Sequence, residues 1–127
     1  MTGFAAATVA TMIQLMSSTQ EDRERTTVQG TGCSWAMPDG SSKFAATDDV
    51  AIIKPASGLI RLKPHATAKD MFPFTFTRWI GKGIDVEVMQ IGKANVINTE
   101  LLRMPATLKV TFNGNTSRVR GVLECGS

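Results

Sequence analysis

The sequence predicts an all-β domain of about eight short antiparallel strands, folded as a small barrel or sandwich. From Thr31 onward, short runs alternate between apolar and polar residues, which is the pattern of strands with one buried face. Turn-forming residues separate these runs at short intervals. The chain has 127 residues, enough for one domain with a sizeable core. A barrel and a sandwich both shield the edges of the sheet, so periodicity leaves the choice between them open.

The first predicted strand places Cys33, Trp35 and Met37 on one face. The stretch 38–40, "PDG", then favours a turn, because proline presets φ and glycine accepts a positive φ. The next runs keep the same spacing of strand and turn. Strands are predicted over 41–46, 48–54 and 59–63, with a turn over 55–58 and with Val50 and Ile52 on one face.

A hairpin is predicted in the middle of the chain. Two alternating stretches, 72–80 and 84–91, flank Gly81–Gly83, whose glycines suit a tight turn. The alternation of the first stretch places Trp79 on the outward face. The segment before the hairpin, 64–71, has the weakest strand pattern and is predicted to be a loop.

The strongest hairpin signal is "NGN" at 113–115, which joins predicted strands over 106–112 and 116–125. Between 92 and 105 the alternation fades, which predicts a longer loop or a short helical turn. The final strand directs its apolar residues to one face and its charged residues to the other. The inward residues are Val119, Gly121, Leu123 and Cys125, and the outward residues are Arg118, Arg120 and Glu124.

Residues 1–30 are predicted to stand apart from a single β domain over 31–127. The segment 4–16 is mostly apolar and uncharged, which fits either the core of a signal peptide or a helix docked on the domain. A membrane span needs about 20 apolar residues, and this segment is shorter. The polar stretch 17–27 is predicted to be a linker.

The two cysteines, Cys33 and Cys125, lie near the two ends of the predicted β domain. Each shares a face with apolar residues, so both are predicted to point into the core. In a closed meander the first and last strands are neighbours, which brings the two cysteines within disulfide range. Such a disulfide would close the barrel at its seam and would indicate the periplasm or another oxidising compartment. The alternative is a pair of unbonded, buried cysteines.

The sequence shows no recognisable catalytic or metal-binding set, so we expect a protein that is not an enzyme and holds no cofactor. His65 is the only histidine, and it falls in a predicted loop. Zinc sites instead gather several cysteine, histidine or carboxylate ligands. The stretch "GKG" at 81–83 lacks the spacing of a phosphate-binding loop.

Six cations fall on outward faces and form a candidate anion-binding panel. The formal net charge is +3, which permits an anionic partner without requiring one. Trp79 is predicted to sit beside the panel, where it would suit single-stranded nucleic acid bound in the manner of an OB-fold. The alternative is an ordinary charged surface, in which Asp85 and Glu87 pair with cross-strand cations such as Arg78. The six are Arg61, Lys63, Arg78, Lys109, Arg118 and Arg120.

Three stretches resemble uncharacterised exported small β proteins of alphaproteobacterial type: "GTGCSW" from Gly30, "GKGIDVEV" after Trp79, and "PATLKVTFNGNTSRVRGVLEC" ending at Cys125. This resemblance implies export and no particular activity. The chain is also similar to the periplasmic inhibitors of c-type lysozyme, because a cysteine lies near each end of a small barrel with a central Trp-Gly stretch. Those inhibitors carry a serine–glycine loop, which would correspond to Ser57 and Gly58. They also carry tyrosine near the lysozyme contact, and this chain has none.

Together, these observations predict a non-enzymatic β-barrel domain of the cell envelope, periplasmic or secreted, with a binding or structural role. The sequence does not identify the partner: a protein of the cell envelope is one candidate, and nucleic acid is disfavoured because a dedicated binder usually shows a denser basic stripe. One alternative is a lysozyme-inhibitor-like protein. Another is an OB-like binder of an anionic ligand or of single-stranded nucleic acid.

Overall fold

The computed structural model describes residues 15–26, 31–71 and 75–126, and it confirms the all-β prediction. Eight antiparallel strands form one closed barrel, which decides between the barrel and the sandwich. Most of the predicted apolar segment, 4–16, lies outside the described residues. Within them, no helix has the length and apolar character needed to cross a membrane.

The described residues form one helix and eleven strands. Buried and exposed residues alternate along the longer strands, because one face of each meets the core. The helix, α1, spans Gln20–Thr26. The strands are β1 Gly32–Ala36, β2 Ser42–Ala46, β3 Ala51–Ile53, β4 Ile60–Pro64, β5 Asp70–Met71, β6 Thr75–Phe76, β7 Arg78–Gly81, β8 Ile84–Gln90, β9 Asn95–Asn98, β10 Leu101–Phe112 and β11 Asn115–Gly126.

The barrel is an up-and-down meander that returns to its first strand. The ring runs through β1, β2, β3, β4, β7, β8, β10 and β11, and it closes where β11 pairs with β1. Strands β5 and β6 form a separate two-stranded sheet, and β9 pairs with the start of β10 outside the ring. The hairpins predicted around Gly83 and Gly114 are confirmed. Both central residues of each turn have a positive φ, as type I′ geometry requires.

Side chains fill the barrel interior. Trp35 and Trp79 are fully buried, and each indole N–H donates a 3.0 Å hydrogen bond to a backbone carbonyl, of Ala106 and Phe76 respectively. The Trp35 ring lies against Gly121, where a β-carbon would come within 2.5 Å of the ring. Glycine is therefore required at that point of β11. The other large buried side chains include Phe44, Ile53, Ile84, Met104, Leu108 and Leu123.

Trp79 points into the core, so its predicted outward position is wrong. The prediction assumed one unbroken strand over 72–80, of which 72–74 lie outside the described residues. The structure breaks this strand at Thr77, between β6 and β7. Phe76 and Trp79 therefore both reach the core although they are three residues apart, and their ring centroids lie 6.0 Å apart in an edge-to-face contact. A strict two-residue period cannot produce that arrangement.

The stretch 92–105 contains a strand pair, so the predicted loop or helical turn is wrong. Strand β9 and the start of β10 pair across a turn at Thr99 and Glu100. All four residues of β9 are exposed, which explains why no alternation marks the strand. Pro105 is tolerated within β10 because it lies opposite the gap between the end of β8 and the start of β9. The N–H and the carbonyl of one strand residue point to the same side, and the Pro105 carbonyl accepts the Ile91 N–H at 3.0 Å on that side. The N–H that proline lacks would therefore point into the gap, where no strand residue needs it.

The seam between β1 and β11 contains the predicted disulfide. All five residues of β1 pair in register with the end of β11, and Cys33 lies directly opposite Cys125. The two sulfur atoms are 2.00 Å apart, and both side chains are buried in the core. Because 92 residues separate the two cysteines, the bond joins the two ends of the meander.

Part of the predicted linker instead forms α1, and the segment 15–26, named here the strap, is fastened to the barrel. The Met16 N–H donates to the Lys54 carbonyl at 2.7 Å, and the Ser18 N–H donates to the Ser42 carbonyl at 2.9 Å. The helix has seven residues and no apolar stripe. The 3.6-residue period that identifies longer helices is therefore missing from its sequence.

Contacts of Asp22 hold α1 in place. Its carboxylate accepts the Thr19 N–H, and its own N–H donates to Thr19 Oγ1, both at 3.0 Å, in the arrangement of a capping box. The same carboxylate accepts a hydrogen bond from Lys54 Nζ at 2.9 Å, and the Asp22 side chain is only 6% exposed. The hydrogen bonds from Lys54 and from the Thr19 N–H lower the pKa of Asp22 to about 2.

One part of the outer wall is also buried. Ala45 and Ile52 face outward, because the residues beside them, Phe44 and Ile53, point into the core. Ala45 and Ile52 are nevertheless 2% and 0% exposed, and with Val50 they form a second apolar cluster. Val50 and Ile52 therefore lie on one face, as predicted. That face is on the outside of the barrel, in a part of the wall that is shielded from solvent.

We expect reduction of the Cys33–Cys125 bond to lower the free energy of unfolding by about 2–5 kcal/mol, because the unfolded chain regains the freedom that the long loop removes. Urea unfolding followed by circular dichroism, with and without reductant, measures this difference. The Cys33→Ala/Cys125→Ala variant is the control, since its unfolding should not respond to reductant. Equal urea midpoints for the wild-type protein in the two conditions would contradict the expectation.

We expect Asp22→Asn to destabilise the protein at neutral pH and to lose this effect in acid. The folded-state pKa lies at about 2, below the ordinary value of 3.8, so the contribution of Asp22 is complete above that ordinary value and disappears as the pH falls through about 2. Urea midpoints of the wild-type and variant proteins over this range should converge. Glu21→Gln, on an exposed position of the same turn, is the matched control. A gap that stays constant to the lowest pH would rule out this account.

Candidate anion-binding face

The outer wall carries the candidate functional surface, since the large side chains of the described core, such as Trp35, Trp79 and Phe44, are packed inside the barrel. A surface depression of about 670 Å³ lies between α1 and the outer side of β1 and β2, lined mainly by glycine, alanine and serine. Its charged residues are Arg23, Glu100 and Glu124. Their mixed signs give little attraction for a charged ligand.

His65 belongs to a local turn. Its Nδ1 accepts the Thr67 N–H at 3.0 Å and lies 2.8 Å from Thr67 Oγ1. In the part of the chain that the structure describes, no three histidine, cysteine or acidic side chains are grouped so that they could hold a metal ion.

The structure divides the six predicted cations into separate groups. All six occupy outward positions of their strands. Two lie on β4, one on β7 and three on β10 and β11. Strands β7 and β8 stand between the first two cations and the last three, so the six do not form one panel. In ring order they are Arg61 and Lys63, then Arg78, then Lys109, Arg118 and Arg120.

Arg78 is held by Asp85, the cross-strand partner that the sequence predicts. Its Nε donates to Asp85 Oδ1 at 3.0 Å, and its Nη2 donates to Oδ2 at 2.6 Å. This two-pronged geometry is the strongest form of a carboxylate–guanidinium pair. The Arg78 hydrogen bonds lower the pKa of Asp85, and the same bonds raise the pKa of Arg78. Arg78 is therefore already neutralised by a neighbour.

The remaining three cations form a compact group on β10 and β11. Lys109 lies directly opposite Arg118, and Arg120 follows two residues later on the same side, opposite Thr107. Opposite residues of an antiparallel pair have β-carbons about 5 Å apart, and residues two apart along a strand are separated by about 7 Å. Both arginines are exposed, and Lys109 is half-buried. Lys109, Arg118 and Arg120 are named here the cationic face.

Acidic side chains border the cationic face, but none of them pairs with its arginines. Asp85 is bound in the ion pair described above. Glu87 lies opposite Lys109, and its carboxylate is 4.0 Å from the ammonium group. Glu124 accepts a 2.6 Å hydrogen bond from Arg103 Nε. Among the described residues, the two arginines of the cationic face therefore have no ion-pair partner.

The chemistry of the cationic face favours an anion. Like charges directly opposite each other on a sheet repel, and Lys109 and Arg118 keep such an opposition. A bound phosphate, sulfate or carboxylate would replace this repulsion with attraction, and a guanidinium offers it a planar fork of N–H donors. Two hydroxyls, Thr111 Oγ1 and Thr116 Oγ1, lie 3.0 Å apart on the same side of the hairpin. They are further groups able to donate to an anion.

A second exposed feature adjoins the cationic face and was missed by the sequence interpretation. Met89, Ile91, Val96 and Ile97 are between 40% and 73% exposed. Met89 is an apolar residue on the outward phase of β8, and Val96 and Ile97 are adjacent apolar residues in a strand without alternation. These two departures from the usual strand pattern are the signals that could have identified it.

The chain matches no model of a known protein family, no curated protein and no solved structure. Ser57 and Gly58, which the resemblance to lysozyme inhibitors singles out, lie in the turn between β3 and β4. Gly58 has a φ of 121°, and its N–H donates to the Pro55 carbonyl at 2.9 Å. The turn geometry itself thus requires glycine. A lysozyme-inhibitor role stays a prediction.

We expect Arg118→Glu to raise the free energy of unfolding by up to about 1 kcal/mol, because the new carboxylate would lie opposite Lys109 and replace a repulsion with an attraction. Urea unfolding at low ionic strength measures this gain, which should shrink at high salt. Arg61→Glu is the matched control, since the residue opposite Arg61 is the uncharged Ile52. A less stable Arg118→Glu variant would argue against a repulsive pair.

Proposed function

We propose that this chain is a non-enzymatic, exported binding domain whose cationic face holds an anionic ligand. The observation that carries the proposal is the opposition of Lys109 and Arg118, with Arg120 beside them. Within the described residues no acidic side chain forms an ion pair with Arg118 or Arg120. A sheet gains nothing in stability from such an arrangement, whereas an anionic ligand would supply the missing countercharge.

The barrel supports this role because it fixes the three cations on a rigid wall. Strands β10 and β11 pair along their whole length, from Leu101 opposite Gly126 to Phe112 opposite Asn115. On the other side of the same hairpin, Leu108 is buried in the core. Little backbone freedom is left to lose when a ligand binds, so less of the binding free energy is spent on ordering the site.

Charge, rather than base stacking, would select the ligand. OB-type binders of single-stranded nucleic acid stack bases on accessible aromatic side chains. Among the aromatic residues that the structure describes, Trp35, Trp79 and Phe44 are buried, and Phe76 and Phe112 pack against the core. The proposed ligand is therefore an anionic polymer or surface that is held in a salt-dependent way without sequence preference.

The proposed location outside the cytoplasm is supported by the Cys33–Cys125 disulfide. Disulfides persist in the periplasm and in secreted proteins, whereas the cytoplasm keeps thiols reduced. At such a location the cationic face would meet the phosphate and carboxylate groups of the cell envelope.

The proposal predicts salt-dependent binding of a polyanion through Arg118 and Arg120. A fluorescently labelled single-stranded oligonucleotide is a suitable probe, with binding followed by anisotropy over a series of salt concentrations. For a single strand, the slope of log K against log salt changes by about 0.7 for each lost contact, so Arg118→Gln/Arg120→Gln should flatten it by about 1.4.

Arg61→Gln/Lys63→Gln is the matched control, since it removes the same charge from β4, which β7 and β8 separate from the cationic face. This variant should keep the wild-type slope. Arg118→Glu separates binding from folding, because it should bind more weakly while its stability rises. Equal losses in the two double variants, or no binding by the wild-type protein at low salt, would refute the proposal.

A further inference from the structure

Most of the large apolar side chains that the described residues expose lie in one short stretch. Four of the five fall between positions 89 and 97, and the fifth, Met16, lies in the strap. The four are Met89, Ile91, Val96 and Ile97, with 48%, 40%, 73% and 45% of their surface exposed. The first two, Met89 and Ile91, are named here the apolar ridge.

The apolar ridge borders the cationic face. Met89 lies opposite Thr107, and Thr107 lies opposite Arg120, so the three side chains share the outward side of neighbouring strands. The Ile91 N–H donates to the Pro105 carbonyl at 3.0 Å, which places Ile91 beside another exposed apolar residue. Apolar and cationic groups therefore lie one or two strand spacings apart, about 5–10 Å.

Strand β9 carries the other two exposed side chains, Val96 and Ile97. Val96 lies opposite Leu102, which packs against the core, so Val96 points to the inner face of the sheet and away from the cationic face. Strand β9 pairs with β10 on one side, and none of the described strands pairs with it on the other. The register shifts between Leu101 and Leu102, which leaves Ile97 without an opposite residue. A bulge of this kind hinders the addition of another strand at an edge. The backbone edge of β9 is therefore not the docking element, which the side chains of the apolar ridge form instead.

A second copy of the chain fits this surface poorly. A symmetric contact across the apolar ridge would bring the cationic faces of two copies to one interface, together with the exposed Lys93 of each. Like charges brought together at an interface weaken association. The turn after β9 supplies one exposed acid, Glu100, against these cations. The surface is instead complementary to a partner that is both apolar and anionic.

We propose that the apolar ridge and the cationic face dock together on an anionic lipid surface. This inference rests on the proposed function and names its ligand. At a bilayer surface, exposed apolar side chains reach the boundary of the acyl chains, while lysine and arginine remain at the anionic headgroups. A lipid surface requires no matching groove, which suits side chains that protrude. The unpaired backbone groups of β9 limit the depth to the headgroup region, where water satisfies them.

Sedimentation with lipid vesicles tests this inference on the full chain. Vesicles of phosphatidylcholine alone are compared with vesicles that also contain phosphatidylglycerol, and only the anionic vesicles should bind. Removal of each cation in Arg118→Gln/Arg120→Gln should weaken binding by about five-fold. Met89→Ser/Ile91→Ser should weaken it by at least about ten-fold, because the ridge loses apolar surface. Met16→Ser, which removes an exposed apolar side chain away from the ridge, should bind like the wild-type protein.

Binding that Met89→Ser/Ile91→Ser leaves unchanged, or that Met16→Ser weakens equally, would overturn the inference. Failure to bind anionic vesicles while the oligonucleotide still binds through Arg118 would also overturn it, and would leave the proposed function standing with an acidic protein or polysaccharide as the ligand. Loss of both binding activities would reject the proposed function as well. Circular dichroism confirms that each variant is folded.

Discussion

The pairing of β11 with β1 is the contact on which the rest of the barrel depends. The other ladders of the ring join strands that are close in sequence, whereas this one joins positions 92 residues apart at the disulfide. Without it the meander would be an open sheet with two unpaired edges. Closure also assembles the core, because Trp35 on β1 reaches the Ala106 carbonyl on β10 and lies against Gly121 on β11.

Because side chains occupy the barrel interior, the features specific to this barrel lie on its outer wall. Its two sides are unlike. Around β2 and β3 the wall is covered, with Ala45 and Ile52 buried although they face outward and with the strap tied to the ends of both strands. Around β8, β10 and β11 the wall is open, and it presents charge beside apolar side chains. The same closed scaffold thus combines a protected side with a side suited to contact.

The sequence could predict the parts of the fold in which the backbone is regular. Strand β8, the part of β10 over 106–112 and the following β11 alternate, and their turns place glycine where a positive φ is needed, so their facing was predicted correctly. The wrong predictions fall where the backbone or the burial pattern is irregular. The break at Thr77 turns the Trp79 side chain inward, and β9 shows no alternation because all of its residues are exposed. The cations were correctly predicted to point outward, but only the order of strands around the barrel shows that Arg61 and Arg118 lie far apart. Helix α1 depends on the contact of Asp22 with a lysine 32 residues away, which no local pattern encodes.

Gly32 and Gly126 lie opposite each other at the seam, so the barrel has its first and last residues on one rim. A short linker between them and a new opening at the turn of Asn113 and Gly114 would give a circular permutant with every other ladder preserved. Cys33 and Cys125 would then be near neighbours along the chain, and the same bond would close a short loop. The stabilisation that the disulfide provides would shrink although its contacts stayed the same, because that stabilisation depends on the order of the strands along the chain.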